Sequence, residues 1–426
     1  MSKQKVVIIG GGIGGVALAV GLRHRGISAQ VYEAGDDFTE LGAGIALGPN
    51  AIAALSLLDP EAGEVFEQLA TKNAFSSEEA TWINFRHGIG EPSLIAKVQT
   101  KDDRKTGLSS VHRARFLNSL AALIPRDMVH FGKRLQRITE AGGSNLRLYF
   151  DDGTQVLAAS VVGCDGVRSS VRQYVLDLKR PLDNVTYTKK YVYRGLVPMP
   201  LAVKRLGEEL ANNSQMYLGP GGHVLSYPID GGATMNVVAF RDDAHEWKHP
   251  SWVFKQRGNT MRDEFEGWGE PVKNIVQMLD QPDQWALFNH EPAATFQKGS
   301  VVLLGDAAHA TTPHQGAGAG QAIEDALFLA ELLDRATSLG VSTNAAFQAY
   351  DAVRRPRSQR VVSTSKAAGY TYAMTGPAGS DDELLREELL QRFNWIWEYD
   401  VKRELEVAVM QLQRVAEQTE MEKARL

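Results

Sequence analysis

Gly10-x-Gly12-x-x-Gly15 is the first stretch whose residue types and spacing can do chemistry, and that chemistry would be pyrophosphate binding. Gly10 permits a tight turn, Gly12 lets the backbone approach phosphates, and Gly15 lets helix and strand pack closely. A helix starting here offers free N–H groups and a partial positive charge to an anion. Glu33 stands about 20 positions on, where an acid of a dinucleotide site is expected. Its carboxylate can accept hydrogen bonds from ribose hydroxyls and would repel a 2′-phosphate. The glycines alone also describe an ordinary turn. With their flanks they read as a nucleotide site, open between FAD and NAD.

That site needs a strand before it and a second strand to carry Glu33. Residues 5–9 are apolar and β-branched, which suits a buried parallel strand. Residues 16–24 read as a helix and 29–33 as the next strand, completing one βαβ unit. Helices are predicted over 58–80, 113–123 and 316–333, and buried strands over 161–163 and 300–304. Residues 82–98 look like a hairpin, as do 146–156 around Asp152-Gly153. Between 182 and 288 short β-type runs recur (190–196, 214–218, 223–229, 234–240), punctuated by glycine and proline. The expected fold is α/β. A Rossmann-like nucleotide domain with a parallel sheet (1–75, 108–180, 290–375) is interrupted by a mostly antiparallel sheet domain (76–107, 181–289). C-terminal helices (376–426) follow, docked through Trp395, Trp397 and Tyr399.

The 426 residues call for more than one core. A formal net charge of -5 gives no broad basic surface for nucleic acid or anionic membrane. No run approaches about 20 apolar residues, so no membrane span is expected. The N-terminus lacks a secretory pattern. The lone Cys164 excludes an intramolecular disulfide, fits a reducing compartment and reads as a small buried residue. The expected location is cytoplasmic. The alternative is peroxisomal, because Ala424-Arg425-Leu426 loosely matches a Ser-Lys-Leu address. His309 has no ligand set at metal spacing, so it reads as structural and no metal is expected. Glu208-Glu209 and Asp381-Asp382-Glu383 read as solvated charge. No Gly-x-Ser-x-Gly elbow occurs.

Two further segments close the choice between FAD and NAD. Gly163-Cys164-Asp165-Gly166-Val167-Arg168-Ser169 and Gly305-Asp306-Ala307-Ala308-His309 resemble the Asp-Gly and Gly-Asp motifs of the FAD-dependent single-component aromatic hydroxylases. Val111-His112-Arg113 precedes them, and Pro313-His314-Gln315-Gly316-Ala317-Gly318-Ala319-Gly320 then leads into Ile323-Glu324-Asp325-Ala326, all in the family's order. The resemblance covers about residues 5–370. Segments 191–196, 217–228, 235–240 and 395–397 are similar to fungal salicylate hydroxylases and to fungal hydroxylases that dearomatise resorcinol-type polyketides.

The resemblance implies bound FAD, transient NADH or NADPH, dioxygen, and a small phenolic substrate, in a monomer or homodimer. It puts Asp306 on the flavin's ribityl chain, Pro313 beside the ring, and Gly316, Gly318, Ala319 and Gly320 against it. Asp165 is implied near the pyrophosphate and linked to NAD(P)H, and Arg113 is the candidate phosphate- or flavin-facing cation. Glutamine is frequent in the family where Ala317 stands, and the departure matches the fungal subgroup. A dedicated NAD(P)H domain is not expected, since no second GxGxxG appears.

On the substrate side, period two sets His223, Leu225 and Tyr227 on one strand face, and Arg194 with Val192 on another. In the dearomatising relatives the matching arginine and tyrosine hold a phenolate. Arg194 can do that or pair with a carboxylate, Tyr227 can donate a hydrogen bond, and His223 is the candidate base. His314 is a candidate to approach the flavin. The implied reaction is hydroxylation through a flavin hydroperoxide, salicylate to catechol with loss of the carboxylate. The alternative is dearomatising hydroxylation of a fungal polyketide, and a remote one is a non-catalytic nucleotide-binding protein.

Overall fold

The computed structural model describes residues 6–38, 44–102, 105–143, 145–180, 182–249, 251–255 and 260–423. Lys5 and the tail tripeptide at 424–426 lie outside them. Val6–Ile9 is wholly buried, with Ser160–Gly163 and Ala29–Tyr32 parallel on either side. Val301–Leu303 and Val129–His130 extend this parallel sheet outward, and Gln297–Lys298 closes one edge antiparallel. Helices Ile13–His24 and Gly318–Leu339 pack together over the sheet through their buried apolar positions.

A second sheet has eight strands. It runs Val253–Lys255, Asp283–His290, Val185–Pro198, Thr234–Asp242, Gly222–Ile229, Gln215–Gly219, Thr81–His87 and Leu94–Gln99. Its pairs are antiparallel except Gln215–Gly219 with Thr81–His87, which is parallel. One face buries Tyr193, Val197, Tyr217, Val224 and Val237 under the helices Met199–Leu206 and Glu270–Met278. The other carries Val192, Val238, Phe240 and Leu225. The chain is therefore α/β with a parallel and a mostly antiparallel sheet, followed by helices Asp382–Gln391, Asn394–Trp397 and Val401–Lys423. Trp397 docks by edge contact on Trp82 at 5.3 Å, and Arg357 lies 3.4 Å over the Tyr399 ring.

One expectation about the helices is corrected. The helix expected over 58–80 is instead the pair Pro49–Leu58 and Pro60–Leu69, after which Thr71 bridges to Ser110. Pro60 forces Asp59 into an extended conformation, and the Asp59 carboxylate caps the new helix through the Glu61 and Ala62 N–H groups. The 30-residue helix Thr343–Tyr372 is not among the helices expected from the sequence, and it continues through Pro356.

Candidate active site

A cavity of about 720 Å³ lies between the parallel sheet's C-terminal edge and the second sheet. Gly10, Gly12, Glu33, Arg113, Asp165, Asp306, Gly316, Gly318 and Ala319 line it, as do Tyr227, Pro313 and His314. Gly15, Arg194 and His223 stand behind its wall.

Gly10 follows the first strand at φ +104°, and a Cβ there would sit 2.3 Å from the Cys164 carbonyl oxygen. Only glycine makes this turn. Gly15 packs against it, where a Cβ would meet the Gly10 carbonyl oxygen at 2.0 Å. Gly12 caps helix Ile13–His24, whose N-terminus opens toward the cavity. The Glu33 carboxylate accepts the Gly11 N–H at 2.5 Å and the Gly35 N–H at 2.7 Å. These bonds hold it at the wall, and each oxygen keeps a lone pair for a ribose hydroxyl.

The Asp165 carboxylate accepts from the Ser169 hydroxyl at 2.5 Å and from the Ser170 and Val171 N–H groups, capping helix Ser170–Val175. Burial pushes its pKa up against those bonds. Asp306 opens the short helix Asp306–His309 with its side chain exposed to the cavity. Gly316 takes the left-handed conformation at φ +61°, ahead of helix Gly318–Leu339. Gly320, expected against the flavin, is not among the cavity-lining residues, and a Cβ there would lie 2.9 Å from the Ala51 Cβ on helix Pro49–Leu58. Cys164 is only partly buried and lines the cavity, contrary to the buried reading; desolvation raises its thiol pKa. A glycine-lined cradle, a helix start at each of two segments and two carboxylates for hydroxyl groups fit FAD.

The second sheet supplies the other wall. Cross-strand register sets Arg194 opposite Val238, Val238 opposite Leu225, and Leu225 opposite Met216. This row therefore begins at a cation and ends at apolar side chains. Burial lowers the Arg194 pKa, Tyr227 acts against that, and Arg113 adds to it. Arg194 thus stands close to both Tyr227 and Arg113. Arg194 also lies 5.2 Å from the Trp285 ring centroid. Burial raises the Tyr227 pKa to about 12 against the pull of Arg194, so the phenol keeps its proton at neutral pH.

His223 is not brought to the cavity. Its ring stacks on Phe240 at 4.0 Å, and His314 lies 5.3 Å away. Burial first, then His314 and Lys190, hold its pKa well below the ordinary value. A base at the substrate from this position is not supported by the geometry. His314 lines the cavity with a pKa lowered to about 3 by burial, Lys190 and Arg392, so it is neutral. Helix residue Gly369 makes room for it, since a Cβ there would be 2.5 Å from His314 Nε2.

Sequence reasoning missed the groups that hold these segments in place. Fully buried Arg172 donates to the Ala307 and Ala308 carbonyls at 3.2 and 2.7 Å, tying the Asp165 segment to the Asp306 segment. His309 pairs with Asp325 at 2.6 Å, and Arg354 bonds Asp325 and Glu324 at 2.8 and 2.5 Å. Arg357 also bonds Glu324 at 2.8 Å. The structural reading of His309 agrees with this. Two adjacent carboxylates in the mostly apolar first half of helix Gly318–Leu339, Glu324 and Asp325, were the available signal that buried cations must exist. No group of three or more metal-type ligands stands together among the described residues. Nor is any described helix long and apolar enough to cross a membrane.

The cradle and the sheet facing it define an FAD-binding enzyme. Residues 3–365 match the family model described as FAD binding domain, and the chain belongs to that family. It is 43% identical over 414 residues to a 6-methylsalicylate 1-monooxygenase of Aspergillus terreus, covering 96% of this chain and 92% of that protein. A salicylate hydroxylase of Pseudomonas putida is 37% identical over 414 residues, covering 94% of each. Among solved structures, a salicylate hydroxylase substrate complex superposes with TM-score 0.84 at 34% identity, covering 96% of this chain and 98% of that one. The chain is an FAD-dependent monooxygenase of the salicylate 1-monooxygenase type.

Proposed function

We propose that this enzyme hydroxylates a salicylate-type phenolic acid at the carboxyl-bearing carbon, with salicylate and its 6-methyl homologue the first candidates. Salicylate, NAD(P)H, two protons and dioxygen would give catechol, carbon dioxide, NAD(P)+ and water. The observation that carries the reading is the cavity wall on which Tyr227, with the buried Arg194 charge behind it, adjoins the apolar Leu225 and Met216. A salicylate has the matching polarity, with a carboxylate and phenol on one edge and hydrocarbon on the other. The names of the similar proteins support the same substrate class.

FAD, when bound, supplies the reduction by NAD(P)H and the activation of dioxygen. The chain's own residues have narrower tasks. Asp306 and Glu33 would accept cofactor hydroxyl groups, Arg113 would face its negative charge, and the start of helix Gly318–Leu339 would direct N–H groups toward the ring. Arg194 would lower the energy of the substrate anion, and protonated Tyr227 would donate to its phenolic oxygen. Neutral His314, rather than His223, lines the cavity, and with so depressed a basicity it would share a hydrogen bond with the substrate rather than take its proton. The apolar side chains and Pro313 would keep water from the reacting carbon.

The test is NADH and NADPH oxidation by FAD-loaded enzyme, with and without salicylate and 6-methylsalicylate, with product and peroxide measured. Substrate-stimulated oxidation with decarboxylated diol supports the reading. Stimulation that yields only peroxide, or none with either acid, removes it and turns the search to resorcinol-type polyketides.

A further inference from the structure

One cavity-lining side chain comes from a segment outside residues 3–365, the span of the family model. Phe393 lies just ahead of helix Asn394–Trp397 and is 2% exposed. It stacks on Trp397 at 4.8 Å and 14°, and Trp397 in turn meets Trp82. Phe393 shares one apolar cluster with Trp82, Ile83 and Met216, and Leu225 packs against that cluster. Trp82, Ile83, Met216 and Leu225 line the cavity beside Phe393. So the C-terminal segment completes the apolar end of the row that begins at Arg194.

The segment is fixed from beneath. Arg357 donates to the Trp395 and Ile396 carbonyls at 3.4 and 3.0 Å while holding Glu324. Arg392 donates to the Thr371 hydroxyl at 2.8 Å. These bonds hold the chain on both sides of Phe393, and its ring is packed against Trp397 and Trp82, so it cannot swing aside for a larger ligand without giving up that packing. It therefore acts as a rigid stop.

We propose that Phe393 is a specificity-determining residue, which sets how large a substituent the hydrocarbon edge of the aromatic substrate can carry. The inference rests on the salicylate reading above. An aromatic acid anchored by its polar groups near Arg194 and Tyr227 presents its ring carbons toward this wall. Shortening Phe393 opens volume there and removes contact with a small substrate. Pockets of this kind discriminate by about tenfold or more per methylene.

The experiment compares wild type with Phe393→Ala and Phe393→Leu, all loaded with FAD, on salicylate, 6-methylsalicylate and 6-propylsalicylate. The readout is kcat/KM from product formation. Phe393→Ala should shift the ratio of the propyl homologue to salicylate upward by about tenfold or more. Phe393→Leu keeps most of the packing, guards against a folding failure, and should shift the ratio the same way by less. Equal losses on all three acids would make Phe393 merely structural and overturn the proposal. If wild type hydroxylates none of them, the salicylate reading fails, and flavin absorbance titrations with phenol and 3-alkylphenols decide instead. There, dissociation constants that change between wild type and variants without regard to alkyl length overturn the role of Phe393. A change that grows with length sustains it.

Discussion

Tyr227 and Arg194 show how a single side chain's chemistry is set by where it is buried. The Tyr227 phenol, raised to about 12, is a donor and not a base at neutral pH. Arg194 gives up hydration to sit near it, so its charge acts in a medium where charge interactions are strong. If Tyr227 donates to the substrate's phenolic oxygen, Tyr227→Phe should lower kcat/KM by about 10- to 100-fold, the worth of one hydrogen bond to a charged partner. FAD content should not change, because the cradle lies elsewhere. Steady-state kinetics with product analysis would show it, and an unchanged kcat/KM would take Tyr227 out of the site. The glycines that line the cavity were legible in the sequence because a Cβ at Gly10 would collide with the Cys164 carbonyl, and Gly316 takes a left-handed conformation that favours glycine. The depth of His223 was not. Period two gave its face correctly, but a face does not say whether Phe240 and His314 stand in front of it.

Among the elements, helices Gly318–Leu339 and Thr343–Tyr372 form a pair joined by buried charge. Burial pushes the Glu324 and Asp325 pKa values upward, and Arg354 with Arg357 or His309 overcomes it, so both are lowered, Asp325 to about 2. Asp325 also accepts the Gly305 N–H at 3.1 Å, which links this network to the turn that presents Asp306. Arg354→Met should therefore do two things. It leaves buried carboxylates without their main partner, which costs about 3–5 kcal/mol. It also loosens the Gly305 turn, so FAD should dissociate more readily. Denaturant titration and the flavin retained after gel filtration measure the two effects. A variant with wild-type stability would mean that the network is not what joins the helices. The helix carrying Arg354 was invisible to sequence reading because Pro356 interrupts its interior, where proline removes a backbone donor. Six of the eight strands of the second sheet were legible from their β-type runs and turn punctuation, whereas Val253–Lys255 and Asp283–His290 were not. The parallel pairing of Thr81–His87 with Gln215–Gly219 was not, since it joins segments with no local turn between them.

At the scale of the whole molecule, neutral histidines sit at the junctions between the two sheets. His290, at the end of strand Asp283–His290, bonds the Val167 carbonyl through Nε2 at 2.9 Å. Burial, with Arg172 adding, lowers its pKa to about 3. His314 is held at about 3 as well, and His223 well below its ordinary value. In the unfolded chain each would titrate near 6.5. Between that value and about 3 the unfolded state binds protons that the folded state does not, so stability falls as pH falls. Each histidine held neutral costs about 1.4 kcal/mol per pH unit across this window. The depressed carboxylates Asp325 and Glu324 act at lower pH, because their stabilisation is lost only as the pH drops through and below the ordinary carboxylate range. From pH 7.5 to 5.5 the histidines therefore dominate, and the Tm of the FAD-loaded enzyme should decline steadily below about 6.5. His290→Asn has no proton to take up and should flatten part of that decline while lowering Tm at pH 7.5 through the lost Val167 bond. Calorimetry across this range checks both. A Tm that is flat down to pH 5.5, or a His290→Asn slope identical to wild type, would mean that protonation at these junctions is not coupled to unfolding.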